Sequence, residues 1–188
     1  MVSIVDSSVF SFMSLKNFTE TFLLQIQPGW LVLDLGAGDG HFTRMFADQN
    51  ARVIAVDPKF SGIENKNITI FRMRLEDFIK QNSTTKYDAV FMRNVLQFLD
   101  RNWVMKTLIP WLDENVMSQG VVGIETFYQN PIPSFDQSVS SLFTVRELLE
   151  NFQGWQTLLK DQHEHFSPDL QGNKREFFTS DLIVKKLK

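Results

Sequence analysis

The sequence predicts an α/β fold, a doubly wound sheet that is mostly parallel and ends in an antiparallel C-terminal strand. Three observations carry that prediction. Two apolar runs of strand length, Leu31 to Leu35 and Arg52 to Val56, flank a helical stretch from about Gly40 to about Gln49. Glycines at every second position, Gly36, Gly38 and Gly40, join the first run to the helix. The last two strand-length runs, about Trp155 to Phe166 and Arg175 to Lys185, are joined by the turn-forming residues SPDLQGNK rather than by a helix. A helical crossover gives parallel neighbours, and a hairpin reverses direction.

The chain has 188 residues, enough for one domain with a full core, and its 43% hydrophobic and 22% charged residues suit a globular protein. The 18 phenylalanines predict a Phe-rich core, with a specialised aromatic pocket as the alternative. The net charge of −3 and the lack of any basic run longer than the closing KKLK argue against nucleic acid as a partner. With no cysteine, disulfides, thiolate catalysis and cysteine metal sites are excluded. No apolar run approaches membrane-spanning length, and the N-terminus lacks the charged start and apolar core of a signal peptide. A cytoplasmic protein is therefore expected.

The glycine turn points to a ligand. Glycine lets an incoming group approach the main chain, and the free amides of a first helical turn favour an anionic group by ~0.3–1 kcal/mol. Asp57 ends the second strand, at the edge where open α/β sheets bind ligands. A carboxylate there can accept from both ribose hydroxyls, at ~1.5–3 kcal/mol for each bond. A nucleoside is the expected ligand. Dinucleotide sites prefer Gly-x-Gly-x-x-Gly, but here the third glycine position is His41 and the spacing is Gly-x-Gly-x-Gly, with Asp34 two residues before the first glycine. This pattern disfavours a nicotinamide-dependent oxidoreductase.

The run LDLGAGDG followed by Asp57 resembles the first motif and ribose-binding acid of class I S-adenosylmethionine-dependent methyltransferases. The resemblance implies a Rossmann-like seven-stranded sheet over residues 28–188, with S-adenosyl-L-methionine as cofactor. It assigns cofactor contacts to Asp34, Gly36, Ala37, Gly38, Asp57 and Pro58. It adds Leu75 and Glu76 after the third strand, and Arg93 and Asn94 after the fourth. Arg74 stands where the family often has an Asp for the adenine amine, so Glu76 or a main-chain carbonyl would take that contact. The alternative for Glu76 and Asp77 is a solvated first helical turn.

Residues 1–27 are expected to form a helical cap segment, because Phe18, Phe22 and Ile26 recur every four residues and Pro28-Gly29 ends the pattern. A lid over the cofactor and a helix packed on the sheet are equal alternatives. Strands are expected over Ile68 to Met73, Tyr87 to Met92 and Gly120 to Phe127, and helices over Trp103 to Val116, with a kink at Pro110, and over VRELLENF after a Thr144 cap. The ten residues after Asp57 are too few for a full crossover helix.

Arg93-Asn94-Val95-Leu96 does not match the Asn/Asp-Pro-Pro-aromatic signature of base-modifying members of the family, and Gln97 stands where small-molecule members often have His. Arg93 either binds an anionic substrate or pairs with an acid. Glu125 is favoured as a salt-bridge or capping residue over a general base. The 127–135 loop, with its two prolines, is a natural substrate wall. His163 and His165 alternate on one strand face with no third ligand at matching spacing, so no metal site is expected.

The runs YDAVFMRNVLQFLD and HEHFSPDLQGNKREFF are also similar to the tellurite-resistance methyltransferases of bacteria. That resemblance implies a small-molecule acceptor, including an anionic one such as a tellurium or selenium oxyanion, with Arg93, Gln97, His165, Lys174 and Arg175 as pocket candidates. A non-catalytic module that binds the same cofactor is the rival reading.

Overall fold

The computed structural model describes residues 18–62, 65–129, 139–168 and 174–188, with the backbone alone at 165, 167, 168, 174 and 175. One seven-stranded sheet runs through them in the order β3-β2-β1-β4-β5-β7-β6. Its strands are β1 (Leu31–Leu35), β2 (Arg52–Val56), β3 (Ile68–Phe71), β4 (Tyr87–Arg93), β5 (Val116–Gln129), β6 (Gln156–Pro168) and β7 (Lys174–Lys185). β1 to β5 are parallel, and β7 alone runs against its two neighbours. The expected doubly wound sheet with one reversed C-terminal strand is the fold.

The helices are α1 (His41–Asp48), α2 (Leu75–Gln81), α3 and α4 (Val145–Leu149). α3 is composite, with an α turn Arg101–Trp103, a π segment Val104–Leu108 and an α segment Ile109–Asn115. The expected kink at Pro110 takes this form. Proline has no N–H and its ring crowds the carbonyl four residues back, and a widened π turn relieves both effects. Among the described residues no helix is long and apolar enough to cross a membrane.

Residues 18–23 form a helical segment laid on the sheet. Phe18, Phe22 and Ile26 are buried, as their four-residue recurrence predicts. Phe22 lies so close to the sheet that a Cβ on Gly123 would sit 2.6 Å from its ring. Phe18, Phe22, Phe42 and Phe46 surround Phe91 of β4 at centroid separations of 5.6, 4.9, 5.2 and 5.1 Å. This cluster is where much of the phenylalanine content goes, each fully buried ring contributing ~1.5–3 kcal/mol of transfer free energy. The opposite face packs Phe78, Leu96, Leu108, Leu112 and Phe143.

Several boundaries differ by a few residues from those read in the sequence, and three of them have a visible local cause. β3 stops at Phe71 because its carbonyl accepts the Asp57 and Met73 amides and the chain turns there. β5 begins four residues early, since Gln119 (φ 67°) makes an irregular step whose amide bonds Lys186. α4 ends at Leu149, one turn before Phe152; at its start Thr144 forms a full capping box with Glu147.

Candidate active site

The carboxyl ends of β1, β2 and β4 meet at one edge of the sheet, and the glycine loop hangs there. The Gly36 and Ala37 amides donate to the Val56 carbonyl at 2.8 and 3.2 Å, fixing the loop to the end of β2. The three glycines then do different work. A Cβ on Gly36 would lie 2.8 Å from Val95, and one on Gly40 would lie 2.9 Å from Phe60, so both are closed by protein. A Cβ on Gly38 (φ 52°) would meet nothing within 4 Å. Gly38 is the glycine with open space above it.

Asp57 stands beside that opening. Its Oδ2 accepts the Gly38 amide at 3.1 Å, and its Oδ1 accepts the Lys59 amide at 2.7 Å. Each carboxylate oxygen has two lone pairs, so both retain acceptor capacity. Pro58 follows, exposed, at the start of the expected irregular loop, of which residues 63 and 64 lie outside the described part. Ala37 packs against Ala55 and Phe60.

Asp34 is turned inward. It is 2% exposed and its Oδ2 accepts the Thr43 hydroxyl at 2.5 Å, tying β1 to the first turn of α1. Burial raises its pKa to about 7, against the lowering effect of that hydroxyl. Leu75, the first residue of α2, is buried in the main core, while its amide is one of the first-turn donors that have no acceptor within the helix itself, and the N-cap side chain makes no capping bond. Glu76 pairs with Arg74 at 2.9 Å. The Arg74 hydrogen bond is the main cause that holds the Glu76 pKa below its usual value.

At the end of β4, Arg93 Nε donates to Glu125 Oε1 at 2.7 Å and the guanidinium lies over Phe42, 4.8 Å from the ring centroid. Of the two readings of Arg93, pairing with an acid is the contact present, and the acid is buried rather than on the surface. Glu125 is 1% exposed, and its Oε2 has no hydrogen-bond partner. Burial raises the Glu125 pKa, opposed chiefly by the Arg93 charge. Asn94, exposed and at φ 54°, donates its amide to the Glu125 carbonyl at 2.8 Å and swings Val95 onto Gly36.

Gln97 is 1% exposed, and its side-chain oxygen accepts the Thr126 hydroxyl at 3.1 Å. Its carbonyl accepts the Ser140 and Ser141 amides, so it braces β5 against the chain after residue 138. The side chains of His165, Lys174 and Arg175, and most of the 127–135 loop, lie outside the described residues.

Residues that the sequence reading passed over sit in the same row. In register, Arg93 faces Glu125, Glu125 faces Asp181, and Asp181 faces Asp161. Asp181 is 1% exposed, with a pKa raised to about 8 by burial and then by the Glu125 charge. The expectation of no metal site rested on local spacing. Strand pairing instead gathers Asp161, His163 and Asp181, with one ligand atom from each within 4.8 Å of the others. The available signal was an acid among the apolar residues of a buried strand, SDLIV.

A family model described as a methyltransferase domain matches residues 10–171. No curated protein sequence matches the chain. Among solved structures the fold is similar to TehB from Haemophilus influenzae, with a TM-score of 0.67 at 21% identity, covering 84% of this chain and 58% of that one. It is similar to the N-methyltransferase NodS from Bradyrhizobium japonicum WM9, with a TM-score of 0.67 at 12% identity over 98% of this chain and 100% of that one. It is also similar to the Burkholderia thailandensis 1,6-didemethyltoxoflavin-N1-methyltransferase, solved with bound 1,6-didemethyltoxoflavin and S-adenosylhomocysteine, with a TM-score of 0.64 at 14% identity over 100% of this chain and 93% of that one. With the glycine loop and Asp57 at the sheet edge and a family match over most of its length, the chain belongs to the S-adenosylmethionine-dependent methyltransferase-domain family.

Proposed function

We propose that the chain transfers the methyl group of S-adenosylmethionine to a neutral nitrogen of a small molecule held against Arg93 and Glu125. The residues at the sheet edge fit the cofactor. Gly38 leaves open space, the Asp57 oxygens beside it retain lone pairs for a ribose, and the first-turn amide of Leu75 is available to a base. When bound, the cofactor supplies a methyl group activated by a positively charged sulfur.

The observation that carries the nitrogen reading is the Glu125 Oε2 atom. It is buried on β5 without a hydrogen bond of normal geometry, the exposed Asn94 side chain being the weakest of the groups that stabilise the carboxylate, and it lies next to an oxygen already fixed by Arg93. An N–H of an acceptor would satisfy it, and the carboxylate would take that proton as the methyl arrives. Burial makes Glu125 a stronger base than an exposed glutamate. General-base help is worth typically 10²–10⁴-fold, less than the ~7–11 kcal/mol available from holding nucleophile and methyl in line. Positioning is therefore the larger contribution of the chain. The fold likeness to two N-methyltransferases agrees with this reading.

An oxyanion acceptor of tellurium or selenium is the second reading. The fold likeness to TehB favours it, as does Arg93, whose Nε alone is taken by Glu125. S-adenosylhomocysteine release, measured with amines, nitrogen heterocycles, tellurite and selenite, separates the two. The proposal expects turnover with a nitrogen acceptor and a loss of about 10²-fold or more in kcat for Glu125→Gln at unchanged cofactor affinity. Turnover with oxyanions alone, or none with any acceptor, would reject it.

A further inference from the structure

We infer that Asp161, His163 and Asp181 form a binding site for a divalent transition-metal ion such as Zn²⁺ or Mn²⁺, beside the acceptor end of the active site. The three groups reach one point through pairing of β6 with β7. Asp161 is directly opposite Asp181, and His163 is opposite Thr179, two residues along each strand, so all four side chains share a face of the sheet.

The spacing suits an ion. His163 Nδ1 lies 3.3 Å from Asp161 Oδ2 and 3.8 Å from Asp181 Oδ2. Ligand atoms ~2.0–2.2 Å from a tetrahedral ion stand about 3.4 Å from one another, whereas N–H···O hydrogen bonds centre near 2.9–3.0 Å. His163 Nε2 lies 2.9 Å from the Thr179 hydroxyl oxygen. With the proton on Nε2 and donated to Thr179, Nδ1 turns its lone pair toward the two carboxylates. This is the outer hydrogen bond that fixes the tautomer of ligating histidines.

Asp181 supplies the independent observation. It is 1% exposed, and neither of its carboxylate oxygens has a hydrogen-bond partner. A buried carboxylate without donors is costly, and buried charges are ordinarily paired or bound to metal. In the cross-strand row Glu125, Asp181 and Asp161 stand side by side with Arg93 at one end, so carboxyl groups outnumber guanidinium groups along it. Asp161, with its side chain 48% exposed, opens the site to solvent. Two oxygens and one imidazole nitrogen suit Zn²⁺, Mn²⁺ or Co²⁺ better than Cu(I), and three protein ligands leave a position for water or a donor atom of the acceptor.

The test uses the full chain, stripped with chelator and titrated calorimetrically with Zn²⁺ and with Mn²⁺ in the absence of any acceptor. The expected result is one ion per chain and a raised Tm. Asp181→Asn and His163→Gln should weaken binding by about 100-fold or more, and Thr179→Val by about tenfold. S-adenosylhomocysteine affinity should stay unchanged in the metal-free variants, which checks their folding. If Asp181→Asn does not fold, the partly exposed His163→Gln decides the question. No stoichiometric binding to the wild-type chain, or equal binding by wild type and variants, overturns the inference. Because no methyl transfer is measured, that failure is distinguishable from failure of the nitrogen-acceptor reading.

Discussion

Gly38 donates its backbone N–H to Asp57 Oδ2 across 3.1 Å and 19 residues of sequence. The loop proposed to meet the cofactor and the acid that would hold its ribose are therefore one hydrogen-bonded unit. The carboxylate is held in place by two amides while lone pairs remain for the ligand. A preordered acceptor loses less freedom on binding than a mobile side chain would.

The division of labour among the glycines is testable by comparing two alanine variants. Gly36→Ala forces a methyl to 2.8 Å from Val95 at φ 80°, so overpacking and backbone strain add to about 2–4 kcal/mol. Its Tm should fall by roughly 10 °C. Gly38→Ala carries only backbone strain, about 1–2 kcal/mol, because nothing lies within 4 Å. It should melt only a few degrees low yet bind S-adenosylhomocysteine about tenfold or more weakly. Equal melting losses in the two variants would contradict the assignment.

Asp34 makes stability depend on pH. Its carboxyl ionises near 3.8 in the unfolded chain and near 7 in the folded one. Between those values the folded state holds the extra proton, so stability falls as pH rises from 4 to 7, by about 4 kcal/mol from this group alone. Asp34→Asn should abolish that part of the slope, leaving the variant relatively more stable at pH 7.5 than at pH 4.5. Urea denaturation of both proteins at the two pH values measures it.

Arg93 and Glu125 should be unequal under substitution. Arg93→Ala leaves a 1% exposed carboxylate without its cation and should cost about 3–5 kcal/mol of unfolding free energy. Glu125→Gln removes the buried charge itself and should cost less. Equal losses by chemical denaturation would mean that the pair is not a buried ion pair in solution.

The ends of β1 and β2 are legible because an apolar run, a glycine turn and a terminal acid are all local features. The capping box at Thr144 is legible for the same reason. What is not local was harder to read. Spacing places Gly36 in a loop, but only the return of β4 brings Val95 against it. Asp34 reads as a cofactor-side acid, yet its partner is Thr43, nine residues on, across a turn whose shape the sequence does not specify. Gln97 reads as a pocket residue from its place after β4, whereas the return of the chain at Ser140 and Ser141 buries it. Asp161 and Asp181 are 20 residues apart and meet only through the register of a hairpin. Local chemistry was visible; long-range pairing was not.

The most direct measurement is calorimetric titration of S-adenosylhomocysteine into the wild-type chain and Asp57→Ala. Two ribose hydrogen bonds to a charged acceptor, at ~1.5–3 kcal/mol each, predict a Kd at least about 100-fold higher in the variant, with its far-UV spectrum unchanged. An affinity within threefold of wild type in a folded Asp57→Ala chain would contradict the placement of the cofactor across β1 and β2.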